Sequence, residues 1–504
     1  VEVSALLQQA VALHQQGRLE QARELYQQVL AAAPQQFDAL HLSGVIERQR
    51  GEPVRAVELI RAALAVDASQ ARAHSNLGAA LQDLGQAEAA LHAYDTALRL
   101  DPRYALAWNN RGNTLRRLGR LPEALDSYER ALALQPADPQ AWCHRAIALN
   151  DLGRHAEAAA SAEQALSARP GSADALLALG NALQALERFG EAVDAYDRAL
   201  ASSPASPQTA ETWCARGAAL KKSGDLARAL DSYDRALLLR PDYASAAHYR
   251  ANALRALGRR EDAIAAYHHA RALGADPAGI DFALAALGEG ELPSAAPADY
   301  IKGLFDQYAG HFDRHLVGVL GYRTPELLAG LLQPHLGAQL ESALDLGCGT
   351  GLCAPLLRPR ARRLVGVDLS ERMLDKARVA GLYDELACAD ILAWLESQPA
   401  AAWDLVLAAD VLVYFGELAP LFTRVAQAMR AGGWFAFSVE TLASETDQGS
   451  GYAITASNRF VHAPGYVRAC AAAAGFTLVD MQDAVLRKEH GLEVHGMLFL
   501  LRRA

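Results

Sequence analysis

The residues best suited to chemistry cluster in Ala343-Leu344-Asp345-Leu346-Gly347-Cys348-Gly349-Thr350-Gly351. A short apolar run ends in an acid and then in a turn dense with glycine, and a helix-like stretch follows from Leu352 to Leu357. Glycines at the carboxyl end of a strand let the backbone approach a ligand at φ values that other residues avoid. The next apolar run, Leu364-Val365-Gly366-Val367, ends in Asp368, placed to hold the two hydroxyls of a ribose. The two segments predict a nucleoside-cofactor site in a doubly wound α/β domain. A dinucleotide fingerprint needs G-x-G-x-x-G; here glycines fall at 347, 349 and 351, and Leu352 takes the place of the third. No Gly-Lys-Ser/Thr follows, so the turn is not a P-loop.

Three later segments keep the same order: Ala389-Asp390-Ile391, Trp403-Asp404-Leu405-Val406-Leu407-Ala408-Ala409-Asp410-Val411-Leu412, and Arg430-Ala431-Gly432-Gly433-Trp434-Phe435-Ala436-Phe437. With the glycine turn and Val365-Gly366-Val367-Asp368-Leu369-Ser370, they resemble the five motifs of the class I S-adenosylmethionine-dependent methyltransferases. The resemblance implies an S-adenosyl-L-methionine cofactor contacted by Asp345, Gly347, Gly349, Gly351, Asp368, Leu369, Asp390, Ile391 and Asp410. The acid of the second motif would bind the ribose and that of the third the adenine amine. No metal is needed for such a reaction.

Methyl transfer from a sulfonium is an in-line displacement that requires alignment, exclusion of water and often removal of one proton from the acceptor. In open α/β sheets the reacting groups lie beyond the carboxyl ends of strands, which selects Asp410 and Tyr414 after the fourth strand, Glu440 after the fifth and His462 before the next helix. His462 is the general-base candidate because it titrates near neutrality; a helix-flanking surface His is the competing reading. Glu440 suits a substrate amine or hydroxyl, or a solvated strand end. Asp410-Val411-Leu412-Val413-Tyr414-Phe415 lacks the Asn/Asp-Pro-Pro-Tyr found in families that resemble amino-methyltransferases of adenine or glutamine, which argues against those acceptors.

A chain of 504 residues should hold two or more domains. The net charge of −10 argues against a nucleic-acid groove. Six scattered cysteines without a C-x-x-C pair indicate neither zinc nor a disulfide framework and fit a reduced, cytoplasmic setting. No stretch is apolar enough to span a membrane, and Val1-Glu2-Val3 has no signal-peptide character; the absent initiator Met points to a trimmed start.

The first half is a repeat array. Small residues recur at Ala10, Gly44, Gly78, Gly112, Ala146 and Gly180, then at Gly217 and Ala251 after an insertion near Pro204-Ala205-Ser206-Pro207. Turn glycines follow at Gly17, Gly51, Gly85, Gly119 and Gly153, and tyrosines at Tyr26, Tyr94, Tyr128, Tyr196, Tyr233 and Tyr267. Each unit predicts two short helices that cannot bury their apolar faces alone. The pattern resembles the tetratricopeptide repeat, with eight units over 1–277; the fifth is the weakest, with Ala162 where Tyr would fall. The first helix of each unit should line a groove carrying Asn76, Asn110, Asn113, Asn181 and Asn252, with Arg48, Arg116, Asn150, Lys221 and Arg255 further along. Amides that donate and accept suit an extended peptide, and the basic groups an acidic one; solvated polar positions are the competing reading. The resemblance implies a protein or peptide partner, with no nucleic acid, no membrane and a monomer by default.

Residues 278–297 read as a capping helix and linker, and 298–342 as a helical lid before an α/β domain over 343–504. Phe305-Asp306-Gln307-Tyr308-Ala309-Gly310-His311-Phe312-Asp313-Arg314-His315-Leu316 resembles the opening of a bacterial group that fuses these repeats to a methyltransferase, so the resemblance covers almost the whole chain. Tyr308 is then expected over the cofactor and Arg323 at its carboxylate. His311 and His315 have metal-ligand spacing but no third ligand, and read as helix-face polarity. The expected architecture is an all-α repeat solenoid followed by a Rossmann-like class I methyltransferase domain. Three functions follow: methyl transfer to a protein recruited by the repeats, methyl transfer to a small metabolite with the repeats as a docking scaffold, or a non-catalytic scaffold.

Overall fold

The structure, a computed structural model, describes residues 3–204, 208–310, 312–313, 316, 318, 320–337, 339–442, 449–489 and 492–504. The insertion 205–207 and the pair His311 and His315 lie outside the described residues. The chain folds as two compact units, Val1–Gly258 and Arg259–Ala504.

The first unit is a run of antiparallel helix pairs, from Val3–Gln15 and Leu19–Ala32 to Leu226–Leu239 and Ala244–Ala256. The small residues of the repeat let paired helices touch. A Cβ on Gly78, Gly112, Gly180 or Gly217 would meet the ring of Tyr94, Tyr128, Tyr196 or Tyr233 at 2.8, 2.5, 2.4 and 2.6 Å. Each of those tyrosines is buried. In the fifth repeat Ala146 and Ala162 are both buried and fill the corresponding space without a ring. The turn glycines, such as Gly85 at φ +73° and Gly119 at φ +74°, reverse the chain where a side chain would be strained.

The second unit opens with helices Arg260–Ala272 and Pro277–Ala286. Asp276 caps the latter through the N–H groups of Ala278 and Gly279. Within this unit Phe282, in the segment that reads as a capping helix, packs on Tyr300 and Phe460, with ring centroids 5.3 and 5.9 Å apart. The segment 288–297 is more than a linker. Gly416 donates to the Ser294 carbonyl at 2.8 Å and Ala296 to the Tyr414 carbonyl at 2.9 Å, so it runs along the chain that leaves the fourth strand.

Among the described residues nine strands form the sheet: β1 (Leu340–Leu346), β2 (Ala361–Asp368), β3 (Glu385–Cys388), β4 (Trp403–Ala408), β5 (Met429–Thr441), β6 (Tyr452–Ile454), β7 (Phe460–His462), β8 (Phe476–Glu489) and β9 (Leu492–Arg503). Strands β3, β2, β1, β4 and β5 lie side by side and parallel. β9 pairs antiparallel with β5 and β8 with β9. Alternation along each central strand feeds two cores. Leu344, Leu346, Val406, Phe435 and Phe437 join one cluster. Ala343, Leu405, Leu407 and Ala436 join another with Leu328, Leu331 and Leu332 of helix Thr324–Leu332. That helix is therefore part of the sheet's packing, not of a lid. Burial on both faces is what reads as continuous apolar runs in the sequence.

Candidate active site

The carboxyl ends of β1, β2, β3 and β4 open onto a cavity of about 790 Å³. Gly347, Cys348, Gly349 and Thr350 border it after β1, Asp368 and Leu369 after β2, Asp390 and Ile391 after β3, and Asp410, Val411, Tyr414 and Phe415 after β4. Ile301, Leu304, Phe305 and Tyr308 of helix Ala298–Tyr308 form an apolar wall, and Arg459, Arg487, Lys488 and Glu489 stand among the charged lining.

The glycine turn is built for close approach. Gly347 and Gly349 lie at φ +65° and +55°. A Cβ on Gly347 would meet Val411 Cγ2 at 2.4 Å, so a side chain there would collide with the wall. Asp368 ties this turn to the next: Gly349 N–H donates to Oδ2 and Ser370 N–H to Oδ1, each at 2.9 Å. Burial pushes the Asp368 carboxyl up, opposed by those same donors. Asp390 lines the cavity while its Oδ1 caps helix Ile391–Ser397 through Ala393 N–H at 3.0 Å. The helical segment before β1 is pinned to both turns. Asp306 accepts from Ser370 Oγ at 2.5 Å, and Asp313 accepts from Thr350 Oγ1.

Gly347, Gly349, Asp368, Leu369, Asp390, Ile391, Asp410, Tyr308 and Tyr414 thus converge on one cavity. Five other expected residues are absent from its lining. Asp345 shares the strand face of Ala343, where Tyr383 donates its hydroxyl to Oδ2 at 2.6 Å. Burial pushes this carboxyl up to about 7, with Asp368 adding to the rise and the Tyr383 bond opposing it. Gly351, at φ +92°, packs against that same Tyr383, 3.1 Å from where its Cβ would stand. Arg323 is exposed and precedes helix Thr324–Leu332; its neighbour Tyr322 borders the cavity instead.

The two remaining corrections concern chemistry. His462 is fully buried in the β7 position, and its Nε2 lies 2.8 Å from the Phe415 carbonyl. Nε2 is occupied with that carbonyl, and Nδ1, which keeps the lone pair, is buried away from the cavity lining, so the general-base expectation fails on burial. Burial lowers its pKa to about 4. The folded ring stays neutral where the unfolded ring, near 6.5, takes a proton. Stability from this residue is therefore lost as pH falls from about 6.5 to about 4, by roughly 3 kcal/mol. Asp345, raised instead of lowered, contributes the opposite slope. The expected result is that His462→Gln flattens the acid limb of stability against pH, read as the difference between variant and parent in urea melts.

Glu440 is 8% exposed and lies behind the wall in a buried ionic cluster that the sequence did not reveal. Arg487, 1% exposed, donates to Asp410 Oδ2 at 3.0 Å, Glu440 Oε1 at 2.5 Å and Glu489 Oε1 at 2.7 Å. Arg459 approaches the same three acids at 3.6, 3.0 and 3.0 Å. Burial would lower the Arg487 pKa, but Asp410 and Glu440 outweigh it and hold the guanidinium charged. Asp410 takes φ +57°, uncommon for a residue with a side chain. Its N–H donates to Ser438 Oγ at 2.9 Å, which holds the carboxylate toward Arg487. Arg459 lies over the Tyr414 ring at 6.0 Å, and burial raises the Tyr414 hydroxyl above its ordinary pKa. Nothing in the local sequence Arg487-Lys488-Glu489 marks its burial.

A methyltransferase-domain family matches residues 344–437, and tetratricopeptide-repeat families match 7–73, 75–140, 143–207 and 210–243. The chain is a tetratricopeptide-repeat protein with a methyltransferase domain. Among curated relatives, the malonyl-[acyl-carrier protein] O-methyltransferase of Serratia marcescens is 29% identical over 163 residues, 32% of this chain and 61% of that one. The trans-aconitate 2-methyltransferase of Azoarcus sp. is 38% identical over 100 residues, 19% of this chain and 38% of that one. The chain thus spans less than two thirds of the length of either relative. Among solved structures, MamA aligns with 32% of this chain and 94% of its own at 25% identity, with a TM-score of 0.30. The methyltransferase-domain match covers the glycine turn, Asp368, Asp390 and Asp410, and stops before Glu440, Arg459 and Arg487. Among the described residues, no helix is long and apolar enough to cross a membrane.

In the tetratricopeptide-repeat unit, several expected groove amides serve the array itself. Tyr128 and Tyr196 donate their hydroxyls to Asn113 Oδ1 and Asn181 Oδ1 at 2.9 and 2.8 Å. Asn76 Nδ2 lies 2.8 Å from His41 Nε2 of the preceding repeat, and Asn150 donates to the Ala178 carbonyl at 2.8 Å. Asn110, Asn252 and Lys221 are half-buried on their helices. The amides at 113 and 181 keep their N–H groups and one remaining lone pair on each oxygen for a ligand.

Proposed function

We propose that the methyltransferase domain binds S-adenosylmethionine in this cavity and transfers its methyl group to an acceptor held against the Tyr308 and Tyr414 side. The observation that carries the reading is the convergence of a side-chain-free glycine turn with Asp368 and Asp390 on one cavity. The residues fit the cofactor. Asp368 keeps acceptor capacity beyond its two backbone donors, since each carboxylate oxygen can take two hydrogen bonds. Asp390 has one oxygen outside its helix cap for the adenine amine. Gly347 leaves the approach open where a Cβ would fill it. When bound, the cofactor supplies an electrophilic methyl group on a sulfonium. The chain's part is to orient and enclose: the aromatic wall from Phe305 to Tyr308 excludes water. Tyr414, held protonated, offers a hydrogen-bond donor to the acceptor.

The repeats are proposed to dock a protein that is, or that carries, the acceptor, raising its local concentration near the site. A second reading, a small-molecule acceptor with the repeats as scaffold, is favoured by the apolar lining and by a relative named for trans-aconitate methylation, whereas the relative named for malonyl-[acyl-carrier protein] suits a protein-borne acceptor. Calorimetric titration of S-adenosylmethionine into the full chain tests the cofactor assignment. One site per chain is expected; no heat of binding, after removal of any copurified product, would sink it. Labelled donor offered with peptides or with small carboxylic acids then separates the two acceptor classes.

A further inference from the structure

A methyl acceptor with an N–H or O–H must shed a proton, so the groups able to take one on the acceptor side of the cavity constrain what the acceptor is. Asp410 and Glu489 are the carboxylates that border this side. Asp410 accepts from Arg487 at 3.0 Å, and Glu489 accepts from Arg487 at 2.7 Å and from Arg459 at 3.0 Å. Protonating either acid would break a charge-assisted bond. Glu440 lies behind the wall, bonded to Arg487. Burial raises the hydroxyls of Tyr414 and Tyr322 and the thiols of Cys348 and Cys353 above their ordinary values, which keeps all four protonated. Among the described residues that line the cavity there is no histidine.

The same side does offer donors. Arg459 stands on the turn between β6 and β7, its carbonyl held by Thr455 N–H at 2.8 Å. Its Nη1 serves Glu489, while Nη2 is 3.6 Å from Asp410, beyond hydrogen-bond reach. Lys488 borders the cavity, is exposed, and has no ion pair among the described residues. Arg459, Arg487 and Lys488 match Asp410, Glu440 and Glu489 in charge, so an arriving anion meets donors without net repulsion. The rest of the enclosure is apolar, with Ile301, Leu304 and Phe305 on helix Ala298–Tyr308. A carboxylate that reacts with a sulfonium cancels both charges, so its transition state is less charged than the reactants and suits walls of low polarity. A neutral amine would leave a cation in the same enclosure, which low polarity disfavours.

We infer that the acceptor is a carboxylate, methylated to an ester, with Arg459 and Lys488 orienting the oxygen that does not react. This rests on the reading of the cavity as the cofactor site and names the acceptor group whether it is free or borne by a protein. One carboxylate oxygen attacks the methyl carbon; the O–CH₃ bond forms as the C–S bond breaks, and the electron pair stays on sulfur as a neutral thioether. No proton moves. The test gives the full chain methyl-labelled S-adenosylmethionine with octanoate, octylamine or octanol, or with capped peptides that carry glutamate or lysine. Alkali releases labelled methanol from an ester and not from an amine or ether product. Octanoate or the glutamate peptide should be labelled about a hundredfold faster than the amine, alcohol and lysine acceptors, the low end of what a positioned base contributes. Which of the two is labelled separates a free acceptor from a protein-borne one. Lys488→Gln, at an exposed position, should raise KM for that acceptor about fivefold and leave cofactor affinity unchanged. An unchanged KM overturns the part given to Lys488. Label that survives alkali, or no label in either carboxylate while calorimetry shows bound cofactor, overturns the inference and leaves the cofactor site standing. Failure to bind the cofactor removes both.

Discussion

Asp368→Asn is expected to weaken S-adenosylmethionine binding by about a hundredfold while the second unit stays folded. The carboxylate sits where the ends of β1 and β2 meet, and it already accepts from Gly349 and Ser370 N–H. A ribose diol would add two charge-assisted hydrogen bonds, each worth about 1.5–3 kcal/mol. The amide cannot serve the same set of donors. In either orientation its NH₂ faces the N–H of Gly349 or Ser370 and leaves one acceptor oxygen fewer for the ribose, and the loss of roughly 3 kcal/mol corresponds to the hundredfold change. Asn is chosen over Ala because the side chain holds two turns together. Calorimetry on parent and variant measures the effect. A variant that binds within threefold of the parent would show that Asp368 braces the turn and does not hold the cofactor.

The second large effect is on stability. Arg487→Met should destabilise the second unit by about 3 kcal/mol, the low end for breaking a buried ion pair because Arg459 remains. Asp410, Glu440 and Glu489 would then face one another with a single misaligned cation between them. Hydrogen exchange of the β4 and β5 amides reads this unit alone, where a whole-chain melt mixes two units. Adding Glu440→Gln to Arg487→Met should restore part of the loss, because it removes one of the stranded charges. If the double variant is no more stable than the single one, packing around Arg487, not its charge, holds the wall. Activity should fall further than stability, since Asp410 and Tyr414 both lie on the cavity beside this cluster.

Much of the molecule was legible without coordinates, and the reason is locality. The repeat helices follow from small residues and tyrosines at a fixed period, because each contact joins residues that stay close in the chain. The Gly78–Tyr94 and Gly217–Tyr233 contacts, at 2.8 and 2.6 Å for an added Cβ, are such neighbours. The glycine turn and Asp368 were equally readable, since strand ends in a doubly wound sheet declare themselves by an apolar run that stops at an acid or a glycine. Asp345 was misplaced because it lies within β1, short of the turn that borders the cavity, where it faces Tyr383. His462 was misread because a sequence shows a titratable ring and not its burial against the Phe415 carbonyl.

What the sequence determined by itself is therefore the two architectures and the turn that a nucleoside cofactor would use. What only the tertiary structure decided is the charged wall of the cavity. Arg487 meets Asp410 across 77 positions and Glu440 across 47, on strands whose adjacency no local pattern specifies. A buried arginine cannot be told from an exposed one by its neighbours in the chain, because its partners arrive only when β4, β5 and β8 are brought together in one sheet.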